Sequence, residues 1–179
     1  MKRTLYLNNK NYDLVLVDTS SVLKAEFVVF VKRLIPHLRN SGVKINVPQM
    51  VMRELRRISN ENSSRGYSAK KAIENLNALH IAGFVAFEGN PNTTERADSY
   101  IISRVVKGRA QNEKILVVTQ DFQLAKDVLN ANNMHSTFAP ASNALRINPK
   151  GELELFDFNR KPVGQKNNEL SKVLKKFGL

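Results

Sequence analysis

The chain has 179 residues and a mass of 20.2 kDa, and its 28 lysines and arginines against 16 aspartates and glutamates give a formal net charge of +12. With 42% hydrophobic residues it has the composition of one globular domain, which excludes collagen-like and wholly disordered chains. The absence of cysteine excludes disulfides, thiolate zinc sites and cysteine nucleophiles, and no apolar run reaches the roughly 20 residues of a membrane span.

The excess of positive charge favours a polyanionic partner, with nucleic acid ahead of an anionic membrane surface. The alternative is a basic protein that has no such partner. Residues 1–10 contain no apolar stretch of the length of a secretory signal. We therefore expect a cytoplasmic location and no membrane association.

The predicted elements alternate between strands and helices over most of the chain. The first is a strand over 12–18, because its apolar residues are continuous, which is typical of a strand covered on both faces. Helices are predicted over 22–38, 48–58, 68–79, 92–107 and 122–132, and further strands over 44–47, 84–87, 114–119 and 136–138. Pro48 is placed at a first helical position, Asn92 at an N-cap, and 59–66 in a loop. This alternation predicts an α/β fold with a central parallel sheet flanked by helices.

The C-terminal region departs from this alternation. Two short apolar segments flank Asn148-Pro149-Lys150-Gly151, which predicts a β-hairpin. The residues beyond it are rich in lysine and arginine, and we expect them to form either a short amphipathic helix over 170–177 or a disordered tail. The expected organisation is a main domain at 1–140, a C-terminal hairpin extension at 141–158 and a basic tail at 159–179.

Four carboxylates lie where α/β proteins place functional groups. Asp18 and Asp121 each follow a strong strand, at the edge where the carboxyl ends of parallel strands meet, although each is also a good helix N-cap. Glu54 and Asp98 lie on the apolar stripes of their helices, where a carboxylate is costly unless it is protonated, paired with a nearby arginine, or bound to a cation. Together the four predict an oxygen-rich site for Mg²⁺ or Mn²⁺, and the scattered histidines disfavour zinc.

The segments around these acids resemble the PIN domain, a family of metal-dependent nucleases. The matching segments are 16–20, 47–55, 96–102 and 117–125, and their order and spacing agree with the family from residue 13 to residue 140. The resemblance implies an acidic pocket that holds one or two Mg²⁺ or Mn²⁺ ions and hydrolyses phosphodiester bonds, usually in RNA. It implies these catalytic or metal-binding positions: Asp18, Glu54, Asp98 and Asp121, with Thr119 as the hydroxyl that supports Asp121.

We expect a metal-activated water to attack the phosphodiester directly, since no side chain is an obvious covalent nucleophile. Our hypothesis assigns the principal ion to Asp18 and Asp121, and a second ion site to Glu54 and Asp98. Glu95, one turn before Asp98, is assigned to helix capping rather than to the pocket.

A basic stretch accompanies the acids. Ten lysines and arginines lie between residues 32 and 71, against only Glu54 and Glu61. These side chains are expected to contact a phosphate backbone, with RNA favoured over DNA, and the alternative is a solvated helix face. The candidate nucleic-acid-binding residues are Ser20, Arg53, Arg56, Arg57, Lys70 and Lys71.

Three other functions compete with an endoribonuclease. A non-cleaving PIN-like RNA-binding module within a larger assembly is disfavoured by the complete set of four acids. A VapC-type toxin with an antitoxin-like partner is disfavoured because this chain is longer and carries the hairpin and basic tail. A phosphohydrolase of the haloacid-dehalogenase type needs a second aspartate two residues after the first, where Ser20 stands. Self-dimerisation is left open.

Overall fold

The computed structural model describes residues 3–134, 139–159 and 169–177. The elements in chain order are β1 (Leu5–Leu7), β2 (Lys10–Tyr12), β3 (Leu14–Val17), α1 (Thr19–Val22), α2 (Phe27–Ser41), β4 (Ile45–Pro48), α3 (Gln49–Ser59), α4 (Ser64–Ile81), β5 (Val85–Glu88), α5 (Ala97–Ala110), β6 (Ile115–Val118), α6 (Phe122–Asn130), a 3₁₀ turn (Ala131–Asn133), β7 (Asn143–Ile147), β8 (Leu153–Glu154) and α7 (Glu169–Lys176). The strand predicted over 136–138 falls outside the described residues.

Within the described residues, six strands form one sheet in the order β5-β4-β3-β6-β7-β8. All neighbouring pairs are parallel except β7 and β8, which are antiparallel. This confirms the predicted α/β fold with a central parallel sheet and a C-terminal hairpin. The first strand of that hairpin also pairs with β6, so the hairpin extends the sheet directly.

The two most apolar strands, β3 and β6, lie side by side at the centre of the sheet, and every residue in them is buried. Their residues alternate between two core clusters, one on each face of the sheet. Val15 and Val17 pack with α2, α3 and α4, whereas Leu14 and Leu16 pack with α5, α6 and α7. Because Val17 is in register with Val118, the chain leaves both strands at the same edge of the sheet.

Helices α3 and α4 begin at residues that differ from the sequence prediction. Pro48 is the last residue of β4 and the N-cap of α3, with an extended ψ of 139°, and is not the first helical residue. Helix α4 begins at Ser64 because the Ser63 hydroxyl accepts a hydrogen bond from the Gly66 N–H at 3.1 Å. The predicted loop over 59–66 is therefore wrong in its second half.

Helix α5 begins at Ala97, with Arg96 as its N-cap, so the N-cap predicted at Asn92 is wrong. The side chains of Asn90 and Thr93 instead accept hydrogen bonds from the N–H groups of Asn92 and Glu95, at 2.9 and 3.1 Å. Turn-forming polar side chains thus hold this segment out of the helix.

Two elements at the ends of the chain complete the fold. An N-terminal hairpin, β1–β2, was not predicted; Asn8 and Asn9 turn it with φ of 48° and 60°, the left-handed region that asparagine tolerates. At the other end, α7 realises the helical alternative for 170–177. Its Val173 is 3% exposed and packs in the cluster that contains α5 and α6. Among the described helices, none has both the length and the hydropathy that a membrane-spanning segment requires.

Candidate active site

Asp18 leaves the end of β3 and is 3% exposed. One carboxylate oxygen accepts the Ser21 N–H at 2.9 Å and caps α1, and the other accepts the hydroxyls of Ser20 at 2.7 Å and Thr119 at 2.6 Å. Burial raises the pKa of the Asp18 carboxyl, and these hydrogen bonds lower it by a smaller amount. Asp18 is therefore both an N-cap and a buried carboxylate.

The Thr119 hydroxyl joins the ends of the two central strands. It donates to Asp18 and accepts the backbone N–H of Asp121 at 2.9 Å. Asp121 caps α6 by accepting the Leu124 N–H at 2.9 Å. The sequence prediction had Thr119 support Asp121; in the structure the hydroxyl oxygen accepts the Asp121 N–H, and the hydroxyl proton is donated to Asp18.

Ser20 takes part in the same network. Its hydroxyl donates to Asp18 and accepts the Gln120 N–H at 2.9 Å, so it links the residues that follow β3 and β6. The hydroxyl proton of Ser20 is therefore committed to a carboxylate, and a contact of this proton with a phosphate requires that this bond open first.

Glu54 is brought to the same end of the sheet by α3. It accepts a hydrogen bond from the Thr19 hydroxyl at 2.6 Å, directly beside Asp18 in the chain. Sequence reasoning missed Thr19, because its partner lies 35 residues away and no spacing marks the pair. The available signal was only its place immediately after a strand-end aspartate.

Glu54 and Asp98 line one open pocket of about 290 Å³. Arg53, Arg57 and Arg96 also line it, and Arg96 lies 3.5 Å from the Asp98 carboxylate. This contact is the arginine pairing that the sequence left open as an alternative for a carboxylate on an apolar stripe. The pocket thus combines two acids with three guanidinium groups.

The predicted cationic residues divide by position. Arg53 donates to the backbone carbonyls of Thr93 and Glu95 and so holds the segment before α5. Arg56 is exposed and is not among the described residues of the pocket lining. Lys70 and Lys71 are exposed on α4, and the ammonium of Lys71 is 3.1 Å from the carboxylate of Glu74.

Glu95 does not cap α5, because the helix begins two residues later. Its carboxylate lies 3.5 Å from the Lys176 ammonium of α7, in a groove beside the pocket. The capping role assigned to Glu95 is therefore wrong.

Thr119 thus links the Asp18 carboxylate to the backbone N–H of Asp121, and Glu54 and Asp98 line one pocket. Thr19, the next residue after Asp18, donates to Glu54. Over residues 3–134, 139–159 and 169–177, no three histidine, aspartate or glutamate side chains form a group that could hold a metal ion. The donors do fit a hard divalent cation in kind, since all four are carboxylates. Of the described lysines and arginines, none is ion-paired with the buried Asp18.

Comparisons with known proteins agree with this architecture. A search of curated proteins found no match. Among solved structures, the fold is similar to that of the PIN domain endonuclease Utp24, with a TM-score of 0.50 and 15% identity over 80% of this chain and 95% of that one. The family model of the PIN domain matches residues 15–131, which run from the second residue of β3 past the end of α6 and contain all four acids. This match supports a nuclease-type function, and the chain belongs to the PIN-domain family.

Proposed function

We propose that the protein is a metal-dependent endoribonuclease that hydrolyses phosphodiester bonds at the carboxyl edge of its sheet. Family membership supports the reaction type. The observation that carries the proposal is the hydrogen-bonded link between the strand ends, in which Thr119 donates to the buried Asp18 and accepts the N–H of Asp121. A buried carboxylate fixed in this way is oriented before any substrate arrives.

The four carboxylates Asp18, Glu54, Asp98 and Asp121 would hold one or two Mg²⁺ or Mn²⁺ ions. When bound, such ions lower the pKa of a water molecule and neutralise charge on a phosphate. Burying the carboxylate of Asp18 costs free energy, and a dication bound beside it would offset that cost.

The surrounding residues fix the acids. Ser20, Ser21 and Thr119 supply three hydrogen bonds to Asp18, and Thr19 fixes one oxygen of Glu54. Arg53 holds the segment that leads to Asp98 by binding its carbonyl groups. These residues position the carboxylates and do not themselves act on the substrate.

The guanidinium groups around the pocket are suited to an anionic substrate. Arg57 and Arg96 line it together with Glu54 and Asp98. A phosphodiester that enters this pocket therefore meets positive charge beside the acids. Arginine binds phosphate oxygens through two parallel N–H groups, which favours one orientation of the group. We include RNA as the substrate in this proposal because the resemblance of the sequence to PIN-domain nucleases implies it.

The decisive experiment replaces Asp18 by asparagine. The amide side chain keeps one oxygen for the Ser21 N–H that caps α1, so we expect an unchanged circular dichroism spectrum and a loss of Mn²⁺- or Mg²⁺-dependent cleavage to background. Labelled single-stranded RNA, structured RNA and DNA serve as substrates. Glu61→Gln, an exposed change outside the described pocket lining, removes one negative charge in the same way and is the matched control. Undiminished metal-dependent cleavage by Asp18→Asn would refute the assignment.

A non-cleaving RNA-binding module is the second candidate. It is favoured by one observation, that among the described residues no three histidine, aspartate or glutamate side chains form a group that could hold a metal ion. The same assays separate the two functions. Binding of RNA without cleavage in either Mg²⁺ or Mn²⁺ would support the binding module.

A further inference from the structure

A cationic groove lies between α7 and the segment that leads into α5. It has a volume of about 380 Å³, and its described lining includes Thr93, Thr94, Arg96, Lys172 and Lys176. This volume is near the lower end of the roughly 300–1,000 Å³ of small-ligand sites. The groove is separate from the acidic pocket, although the two share one residue, Arg96.

Helix α7 is fixed against the body of the protein. Val173 is buried among residues of α5 and α6, Leu174 is half-buried in the same cluster, and the Lys107 ammonium lies 5.6 Å from the centre of the Phe177 ring. The groove therefore has a defined wall. The packing of Val173 and Leu174 sets the backbone positions of the basic residues on this wall, and their side chains are exposed.

The lysines of α7 are arranged for a ligand in the groove. Lys172 and Lys176 are separated by one helical turn, so they lie on the same face, and both line the groove. Lys175 is exposed and is not among the described lining residues. The helix thus supplies two groove-lining lysines and a matched lysine outside the groove.

The lining favours an anion that also carries hydroxyl groups. Of the described lining residues, Arg96, Lys172 and Lys176 are cationic, and Glu95, 3.5 Å from Lys176, is the single acid. Lysine and arginine at such positions bind phosphate. Thr93 and Thr94 add hydroxyls, which can hydrogen-bond a ribose 2′-OH.

We infer that this groove binds the sugar–phosphate backbone of single-stranded RNA next to the phosphodiester held in the acidic pocket. Arg96 lines both the acidic pocket and the groove, so an RNA chain that passes Arg96 would reach from one to the other. Helix α7, which lies outside the matched family region, is then part of the substrate-binding surface. The position of the groove relative to the cleaved bond rests on the proposed function, whereas RNA binding by the groove does not.

The test measures binding in the absence of cleavage. Fluorescence anisotropy with a labelled single-stranded RNA, in EDTA, gives the dissociation constant at several salt concentrations. For Lys172→Ala/Lys176→Ala we expect affinity to fall about five- to tenfold, and the slope of log K against log salt to decrease by about 1.4 from the loss of two phosphate contacts. Lys175→Ala should change neither quantity.

Two further variants separate charge from folding. Glu95→Gln removes the acid of the groove and should tighten binding by about two- to threefold at low salt. Val173→Asn changes no charge but undocks α7, and it should weaken binding as much as the double lysine variant does. Thermal melts check that the sheet remains folded.

The outcomes are distinct from those that test the nuclease. The inference is overturned if the double lysine variant binds RNA with the affinity and salt slope of Lys175→Ala, or if single-stranded DNA responds to these variants as strongly as RNA does. Absence of cleavage by the unaltered protein would refute the nuclease alone, since the anisotropy measurement contains no metal.

Discussion

At the scale of single residues, the Thr119 hydroxyl does two tasks at once. It is fully buried, donates to Asp18 at 2.6 Å and accepts the Asp121 N–H at 2.9 Å. The first task uses the hydroxyl proton and the second a lone pair of the hydroxyl oxygen, and a methyl group of the same size supplies neither. Thr119 is therefore a positioning residue that acts through two acids.

Replacing Thr119 by valine tests this role. We expect Thr119→Val to lower metal affinity or cleavage about 10- to 100-fold, the usual effect of removing a group that orients a metal ligand. The measurement is the cleavage rate as a function of Mn²⁺ concentration. Thr119→Ser keeps the hydroxyl and should restore the Mn²⁺ dependence. If Thr119→Val and Thr119→Ser lower the cleavage rate equally while its Mn²⁺ dependence stays unchanged, the hydroxyl does not position the acids.

The residues of the site differ in how far the sequence reveals them. Asp18 and Asp121 could be predicted, because each ends a run of buried apolar residues and the parallel topology brings both to one edge. The contact of Thr19 with Glu54 could not, because a hydroxyl directed across 35 residues leaves no periodic pattern. Likewise the sequence suggests that Thr119 serves a nearby acid, but only three-dimensional packing decides which one receives its proton.

At the scale of elements, the junction between α4 and α3, the helix that carries Glu54, leaves no room for a side chain at Gly66. Gly66 lies in the first turn of α4, and a Cβ added there would be 2.0 Å from the Glu61 carbonyl oxygen and 3.2 Å from that of Ile58. Both contacts are with backbone atoms, which cannot move aside as a side chain can. The close approach of the two helices therefore depends on the absence of a side chain at residue 66.

Gly66→Ala should destabilise the protein by about 1–3 kcal/mol, the usual cost of overpacking, even though alanine is the better helix former. The measurement is the free energy of unfolding in urea. Asn77→Ala, at an exposed position of the same helix, is the control and should cause no loss. Equal stability of Gly66→Ala and the unaltered protein would mean that the loop over 60–63 moves without cost.

The sequence predicted most elements but misplaced several of their ends. Apolar runs identify β3 and β6, because a buried strand needs apolar residues on both faces. The start of α5 was misplaced because Asn92 resembles an N-cap, while the side chains of Asn90 and Thr93 bind the backbone in a turn that competes with the helix. The turn and an earlier helix start differ little in free energy. The long-range hydrogen bonds of Arg53 to the carbonyls of Thr93 and Glu95 stabilise the turn.

At the scale of the whole molecule, the excess of positive charge is spread over separate places. Arginines line the acidic pocket, and two lysines of α7 line the adjacent groove. A formal charge of +12 speeds association with any polyanion, but charge alone does not distinguish one polyanion from another. The composition therefore predicts only a polyanionic partner, whereas the location of the groove depends on the packing of α7, which composition does not determine.

The pairing of β7 with β6 affects any attempt to produce the family-matched region by itself. That region ends at residue 131, yet Leu116, Val117 and Val118 are paired with Asn143, Ala144 and Leu145. A chain cut at residue 140 would leave one side of an apolar central strand without its backbone partners, a ready template for a second copy. We expect such a fragment to self-associate in light scattering, and a chain ending at residue 159 to stay monodisperse. A monodisperse 1–140 fragment would contradict this expectation. If the fragment does self-associate, the shortest chain that stays monomeric is longer than the region that the family shares.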